Sequence, residues 1–359
     1  MDAEHVNPAC PLPWETGVFS FPGITQKFGL SIMSSEHIEN YATGAPVETD
    51  ESWTRKSSGD DSSALCTAIL RVLLYYDIWE YPLTLAEVQT FLPIRGISHA
   101  EISSALATDG SRIGVSEFDG YYSVRGDVRA VVGRRRARER HARWMWKAAR
   151  FSTNIIKRFP FVRAVFVSGD LSKNSTGPGS DVDFFILTEP GRLWICRTLL
   201  ILFKKLFLLN SKKFFCLNFF ASTDNLMQQG QNIYVAAEVA RLKMMYNEGL
   251  FTKFMEANEW IREYFPNYDR AMVTPDNHST HLQRFAELLL AVLPLDRIDT
   301  FLMKEMEGIW ARRYPRYDAA TRLRIFRCTK KESRAYGGDF HDRVLSTYAR
   351  KLREFGVGA

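Results

Sequence analysis

Most of the signatures that announce a protein's chemistry are missing from this chain of 359 residues. Its five cysteines (Cys10, Cys66, Cys196, Cys216 and Cys328) are scattered and form no CxxC pair, which argues against both a disulfide framework and a zinc ribbon. No P-loop or dinucleotide fingerprint occurs, and nothing resembles a Ser-His-Asp constellation. His278 and His281 have an HxxH spacing but no third ligand nearby, and Pro275-Asp276-Asn277 before them reads as a turn. Long apolar runs are absent too. The most membrane-like stretch, Leu193–Leu209, contains Arg197, Lys204 and Lys205, and it falls short of the roughly 20 apolar residues that a span needs. It reads as a core helix with cationic groups on one side. The N-terminus shows no basic region followed by an apolar one. The expectation is a soluble cytoplasmic protein with no membrane partner.

What is present is an ordinary globular composition, 46% hydrophobic and 25% charged, at a length that allows two or three domains. The formal charge is +6. This excess is local: residues 1–62 are acidic on balance, whereas Arg129 to Arg163 is strongly basic.

The pattern predicts four regions. Residues 1–63 form a flexible acidic tail ending in the linker Ser57-Ser58-Gly59-Asp60-Asp61-Ser62-Ser63. From 64 to 128, three short helices precede a β-hairpin. Thr84 with Glu87, and Ser98 with Glu101, have the spacing of capping boxes, and Asp119-Gly120 suits a two-residue hairpin turn. This order resembles a winged helix-turn-helix. Residues 129–225 hold a long basic amphipathic helix ended by Pro160, followed by an apolar strand over Phe161–Val167. A second strand follows over Asp181–Thr188, then a helix beginning near Pro190, then a strand over Lys213–Ala221. Residues 226–359 read as helical, with helices over Ile233–Asn247 and Val344–Phe355 and a strongly apolar stretch over Phe285–Leu293. The whole is α+β.

The informative stretch runs from Val165 to Leu187. A buried strand ends at Ser168-Gly169, a polar Gly-rich loop follows, and Ser180-Asp181-Val182-Asp183 opens the next strand. Alternate residues of a strand share a face, so Asp181 and Asp183 point the same way while Val182 points into the core. Two neighbouring carboxylates repel each other, and a divalent cation relieves this; oxygen ligands suit Mg²⁺ or Mn²⁺. Gly169 allows the backbone to approach a phosphate, and Ser168, Ser172 and Lys173 add donors.

This layout resembles the DNA polymerase β-like nucleotidyltransferase superfamily: a strand ending in Gly, a spacer of roughly ten residues, then an acidic-apolar-acidic triplet. Here these are Gly169-Asp170, Leu171–Ser180 and Asp181-Val182-Asp183. The resemblance implies a small twisted sheet flanked by helices. It implies transfer of a nucleoside monophosphate from an NTP to an acceptor, with Asp181 and Asp183 as catalytic metal ligands. Ser168, Gly169, Asp170, Ser172, Lys173 and Ser180 would form the nucleotide-binding loop. Two positions depart from the pattern. Asp170 stands where Ser or Gly is usual, and Asn218 stands where many members carry a third carboxylate; Asn218 can bind a metal through its carbonyl, and Asp224 lies just beyond. These departures leave open a non-catalytic nucleic-acid-binding or regulatory protein on a degenerate transferase fold.

The run Arg134-Arg135-Arg136-Ala137-Arg138-Glu139-Arg140, continued by Arg143, is a candidate phosphate-contacting surface for nucleic acid; its plainer reading is a solvated helix face. Trp144 and Trp146 are expected to pack as an interdomain anchor. Arg192, Arg197, Lys204 and Lys205 follow the second strand and are expected to solvate helix ends.

Overall fold

A computed structural model describes residues 61–269, 281–315, 317–319, 322, 326–334 and 340–357. Most of the expected acidic tail, Cys10 and His278 lie outside the described residues. Within them the fold is mixed α+β, with helices around two sheets.

The first unit begins with α1 (Asp61–Asp77), β1 (Leu83–Thr84), α2 (Leu85–Phe91) and α3 (His99–Asp109). Both capping boxes form. The Thr84 and Ser98 hydroxyls accept from the Glu87 and Glu101 amides, and both glutamates reach back. Each N-cap of this type contributes about 1 kcal/mol. The hairpin of β2 (Ser116–Phe118) and β3 (Tyr121–Ser123) turns on Asp119 and Gly120, whose φ angles of 53° and 76° are the positive pair that a tight hairpin requires. In the small sheet β3 lies between β1 and β2.

Helix α4 (Val128–Ile156) is 29 residues long, about 44 Å at the α-helical rise. Val131, Arg135, Ala142, Met145, Ala149, Ser152 and Ile156 recur along one buried stripe. The larger sheet follows: β4 (Val162–Ser168), β5 (Asp183–Thr188), β6 (Cys216–Ser222), β7 (Lys243–Tyr246) and β8 (Glu332–Arg334), in the order β7-β4-β5-β6-β8. Only β5 and β6 pair in parallel, and α6 (Leu193–Phe207) makes the crossover that parallel pairing demands.

Both faces of this sheet are covered, so its central strands read as continuous apolar runs. Val165, Val167, Phe184, Ile186 and Phe220 face a core shared with α4, α6, α9 (His281–Leu290) and α10 (Leu295–Arg313). Ala164, Phe166, Phe185, Leu187, Phe219 and Ala221 face the other core. That core is shared with the first unit, α7 (Ile233–Arg241), α8 (Glu248–Ala257) and α11 (Phe340–Glu354).

Three expectations are corrected. The C-terminal region is not purely helical, because it supplies both edge strands of the sheet. The expected helix over Ile233–Asn247 stops at Leu242, which takes an extended ψ of 137°; the chain then pairs with β4 as β7. Pairing partners this distant in sequence leave no local periodicity. Pro190 precedes α6 and does not begin it, because Gly191 (φ 69°) turns the chain first and Arg192 is the N-cap.

Candidate active site

Ser168 ends β4 directly opposite Asp183, the first residue of β5, and its hydroxyl lies 3.4 Å from the Asp183 carbonyl oxygen. Gly169 then takes φ 66°. A Cβ at this position would sit 2.4 Å from Asp183 Oδ2, a separation that only glycine avoids. The Gly-rich turn and the carboxylate are therefore built against each other. Gly169→Ala combines left-handed backbone strain with this collision. The expected loss is about 2–3 kcal/mol of stability together with displacement of the Asp183 carboxylate. Thermal unfolding reads the first effect, and unchanged melting would remove the argument for close approach.

After the short helix α5 (Gly169–Ser172), the loop is fastened from several sides. The Ser172 hydroxyl donates to the Gly169 carbonyl (2.7 Å). Ser180 Oγ donates to Asp170 Oδ2 (2.8 Å) and accepts from the Gly177 amide (3.0 Å). Lys173 Nζ pairs with Glu238 Oε1 on α7 at 2.5 Å. From α4, Trp146 Nε1 donates to Asn174 Oδ1 (2.7 Å), and His141 Nδ1 lies 2.9 Å from the Thr176 hydroxyl. The Tyr81 hydroxyl lies 3.1 Å from the Lys173 carbonyl oxygen, tying the first unit to the loop.

Asp181 precedes β5, so strand alternation does not set its direction. Val182 beside it is fully buried and bonded through its backbone to Lys213 and Cys216. The two acids are nonetheless electrostatic neighbours. Burial pushes the Asp183 carboxyl up to about 7; the Cys216 thiol opposes this through a hydrogen bond, while Asp181, Asp170 and Glu238 add to it. Burial also raises Asp181, whereas Lys212, Lys204 and Lys213 act to lower it and Asp170 raises it further. The site thus combines partly desolvated carboxylates with a bank of lysines.

The expected residues divide. Ser168, Gly169, Asp170, Asp181 and Asp183 come together. Lys173 and Ser180 belong to the same loop, but their side chains are engaged by Glu238 and Asp170. Asn218 falls at a register shift: Leu217 pairs with Phe184 and Phe219 with Phe185, and Cys216 is the residue opposite Asp183. Asp224 pairs with Lys331 at 2.9 Å. Among the described residues no group of three or more His, Cys, Asp and Glu side chains is placed to hold a metal ion. Arg192 pairs with Asp296 at 2.5 Å, and Arg197 is buried over the Phe220 ring. Lys204, expected at a solvated helix end, is buried at 3% exposure.

Glu238, Lys212 and Lys213 were not singled out from the sequence. Glu238 lies on a helix whose contact with the loop is purely tertiary. The pair Lys212-Lys213 directly precedes a strand, and only the parallel pairing of β6 with β5 brings it beside Asp181.

The basic run is also divided. Arg134 pairs with Glu80 (3.1 Å), Arg135 is buried against Glu87 (2.7 Å), and Arg136 pairs with Asp119. Arg138 donates to the Trp79 carbonyl (3.1 Å). No described helix is long and apolar enough to cross a membrane. Compared with known proteins, the chain gives no significant match to any family model, curated protein or solved structure.

Proposed function

We propose that this protein is a Mg²⁺-dependent nucleotidyltransferase, moving a nucleoside monophosphate from an NTP to an acceptor with release of pyrophosphate. The observation that carries this reading is the fit of Gly169 against the Asp183 carboxylate at the end of β4, with Asp181 two residues away. In this reading the larger sheet is of nucleotidyltransferase type, and the first unit, three helices and a hairpin, is winged-helix-like.

The donor set suits the metal. Asp181 and Asp183 offer hard oxygen ligands, and burial and neighbouring acids, Asp170 for both and Asp181 for Asp183, hold their carboxyls above the ordinary range, the condition a divalent cation relieves. Mg²⁺, or Mn²⁺, bound there supplies charge neutralisation on the phosphates and activation of the attacking oxygen. The chain's own groups do the rest. Gly169 leaves room for close approach of a phosphate. Lys204, Lys212 and Lys213 bring positive charge to the Asp181 side. The loop fastenings to Glu238, Trp146 and His141 keep the turn from reorganising when charge develops.

Two contacts favour a second reading, a non-catalytic nucleic-acid-binding or regulatory protein on a degenerate transferase fold. The donors Lys173 and Ser180 are committed to Glu238 and Asp170 in place of a triphosphate.

Calorimetric titration of the four NTPs, with and without Mg²⁺, into wild type and the Asp181→Ala/Asp183→Ala variant separates the two. The expected result is Mg²⁺-dependent binding by wild type that weakens at least about tenfold in the variant, a loss of roughly 1.4 kcal/mol or more. A folded wild type that binds no NTP moves the protein to the second reading.

A further inference from the structure

The remainder of α4 points to the acceptor. Arg140, Arg143, Lys147 and Arg150 are exposed and form no ion pair among the described residues, unlike Arg134, Arg135 and Arg136 before them. Their spacing of three and four residues places them on one helix face. Two aromatic side chains share that face: Trp144 is 50% exposed and Phe151 is 68% exposed. Exposed aromatics interleaved with unpaired cations are costly to leave in water and match a strand of phosphates and bases. The stripe from Arg140 to Phe151 is about 16 Å long.

It is also continuous with the candidate site. The Trp144 ring packs edge-on against Phe214 at 5.2 Å, and the Ser152 hydroxyl donates to the Phe214 carbonyl at 2.7 Å. Phe214 follows Lys213, whose ammonium lies 5.8 Å from the Phe214 ring and whose carbonyl accepts from Val182, between the two acids. The same helix also fastens the Gly-rich loop through Trp146 and His141. The stripe is therefore linked through Phe214 and Lys213 to the backbone between the two acids.

We propose that this face of α4 binds single-stranded nucleic acid and delivers its end to the carboxylates as the acceptor. This identifies the acceptor class of the proposed transferase and rests on that reading, although the binding surface itself is testable without it. Arg140, Arg143, Lys147 and Arg150 contact phosphates, while Trp144 and Phe151 stack on bases. Duplex hides its base faces and cannot use the aromatic pair.

The test is fluorescence anisotropy of a labelled oligouridylate and of a duplex of equal length with the full chain, across a salt series. Four phosphate contacts give a log affinity against log salt slope of about −3 for a single strand. Lys147→Glu/Arg150→Glu reduces the steepness of that slope by at least about 1.4 and weakens binding more than tenfold at low salt. Phe151→Ala weakens binding about fivefold or more with the slope unchanged. All three positions are exposed, and unaltered melting temperatures confirm that the variants fold. Duplex binding as tight as single-strand binding, or a Phe151→Ala variant that binds like wild type, overturns the proposal; so does an oligouridylate that fails to bind. Failure here with Mg²⁺-dependent NTP binding intact removes the acceptor surface alone. Oligonucleotide binding without NTP binding removes the transferase and leaves the surface.

Discussion

Glu87→Ala is expected to destabilise the protein by about 3–5 kcal/mol, because it removes the carboxylate that two buried cations share, leaving Arg135 only its contacts to Glu139 and the Pro82 carbonyl. Arg135 holds Glu87 bidentately, Nη1 to Oε2 at 2.7 Å and Nη2 to Oε1 at 3.1 Å. Arg241 approaches Oε1 at 3.7 Å from the end of α7. The Arg241 guanidinium is caged by the Phe91, Tyr76 and Tyr81 rings, at 4.4, 4.9 and 5.5 Å. Glu87 also closes the capping box of α2 and accepts from the Tyr81 hydroxyl at 3.0 Å. Burial acts to raise its pKa, but Arg135 and Arg241 overcome this and leave the carboxyl below its ordinary 4.5. A depressed folded value contributes stability that is complete above the unfolded pKa and lost as pH falls through the folded one. The wild-type advantage over Glu87→Gln should therefore shrink on acidification below pH 4.5 and hold steady above it. Urea melts at neutral and acid pH measure both effects. A loss under about 1 kcal/mol in Glu87→Ala would mean that the cations find other partners.

The second large effect has the opposite sign. Asp183→Asn is expected to stabilise the metal-free protein at about pH 8 by on the order of 2 kcal/mol, with no gain below about pH 4. The folded carboxyl titrates near 7, against an ordinary value of 3.8. The folded protein thus holds this proton more tightly than the unfolded chain does. Ionisation therefore costs stability progressively as pH rises between those values, and asparagine, which cannot ionise, escapes the cost. Millimolar Mg²⁺ should reverse the order at about pH 8, because only the wild type gains stability from a bound cation. Thermal melting of both proteins across pH, with and without Mg²⁺, checks the prediction. A difference that does not change with pH would mean that Asp183 is already ionised and satisfied in the folded protein.

The caps and the hairpin turn are local signals on which sequence and structure agree. The Thr84 and Ser98 capping boxes and the Asp119-Gly120 turn depend on a few adjacent residues and appear where their spacing places them. Apolar β4 and the long helix ended by Pro160 are legible for the same reason. So is the sequence of strand, Gly169 and paired acids. Legibility fails where a residue's role depends on a distant partner. The edge strands β7 and β8 are short and gain their conformation by pairing with β4 and β6. The basic run reads as one cationic face, yet Arg135 is buried against an acid from α2, and within that run only Arg140 and Arg143 form no ion pair or hydrogen bond among the described residues.

The sequence by itself therefore determined the α+β class, the caps and turns, and the order of strand, Gly169 and the two acids, because short-range backbone geometry is written in neighbouring residues. Tertiary structure alone decided that Glu238 takes Lys173, that Cys216 and not Asn218 stands across from Asp183, and that Lys204, Lys212 and Lys213 gather on the Asp181 side. Each of these outcomes follows from strand order, register and helix docking. Those are fixed by burying two apolar faces of one sheet at once, a condition that no single segment of the chain contains.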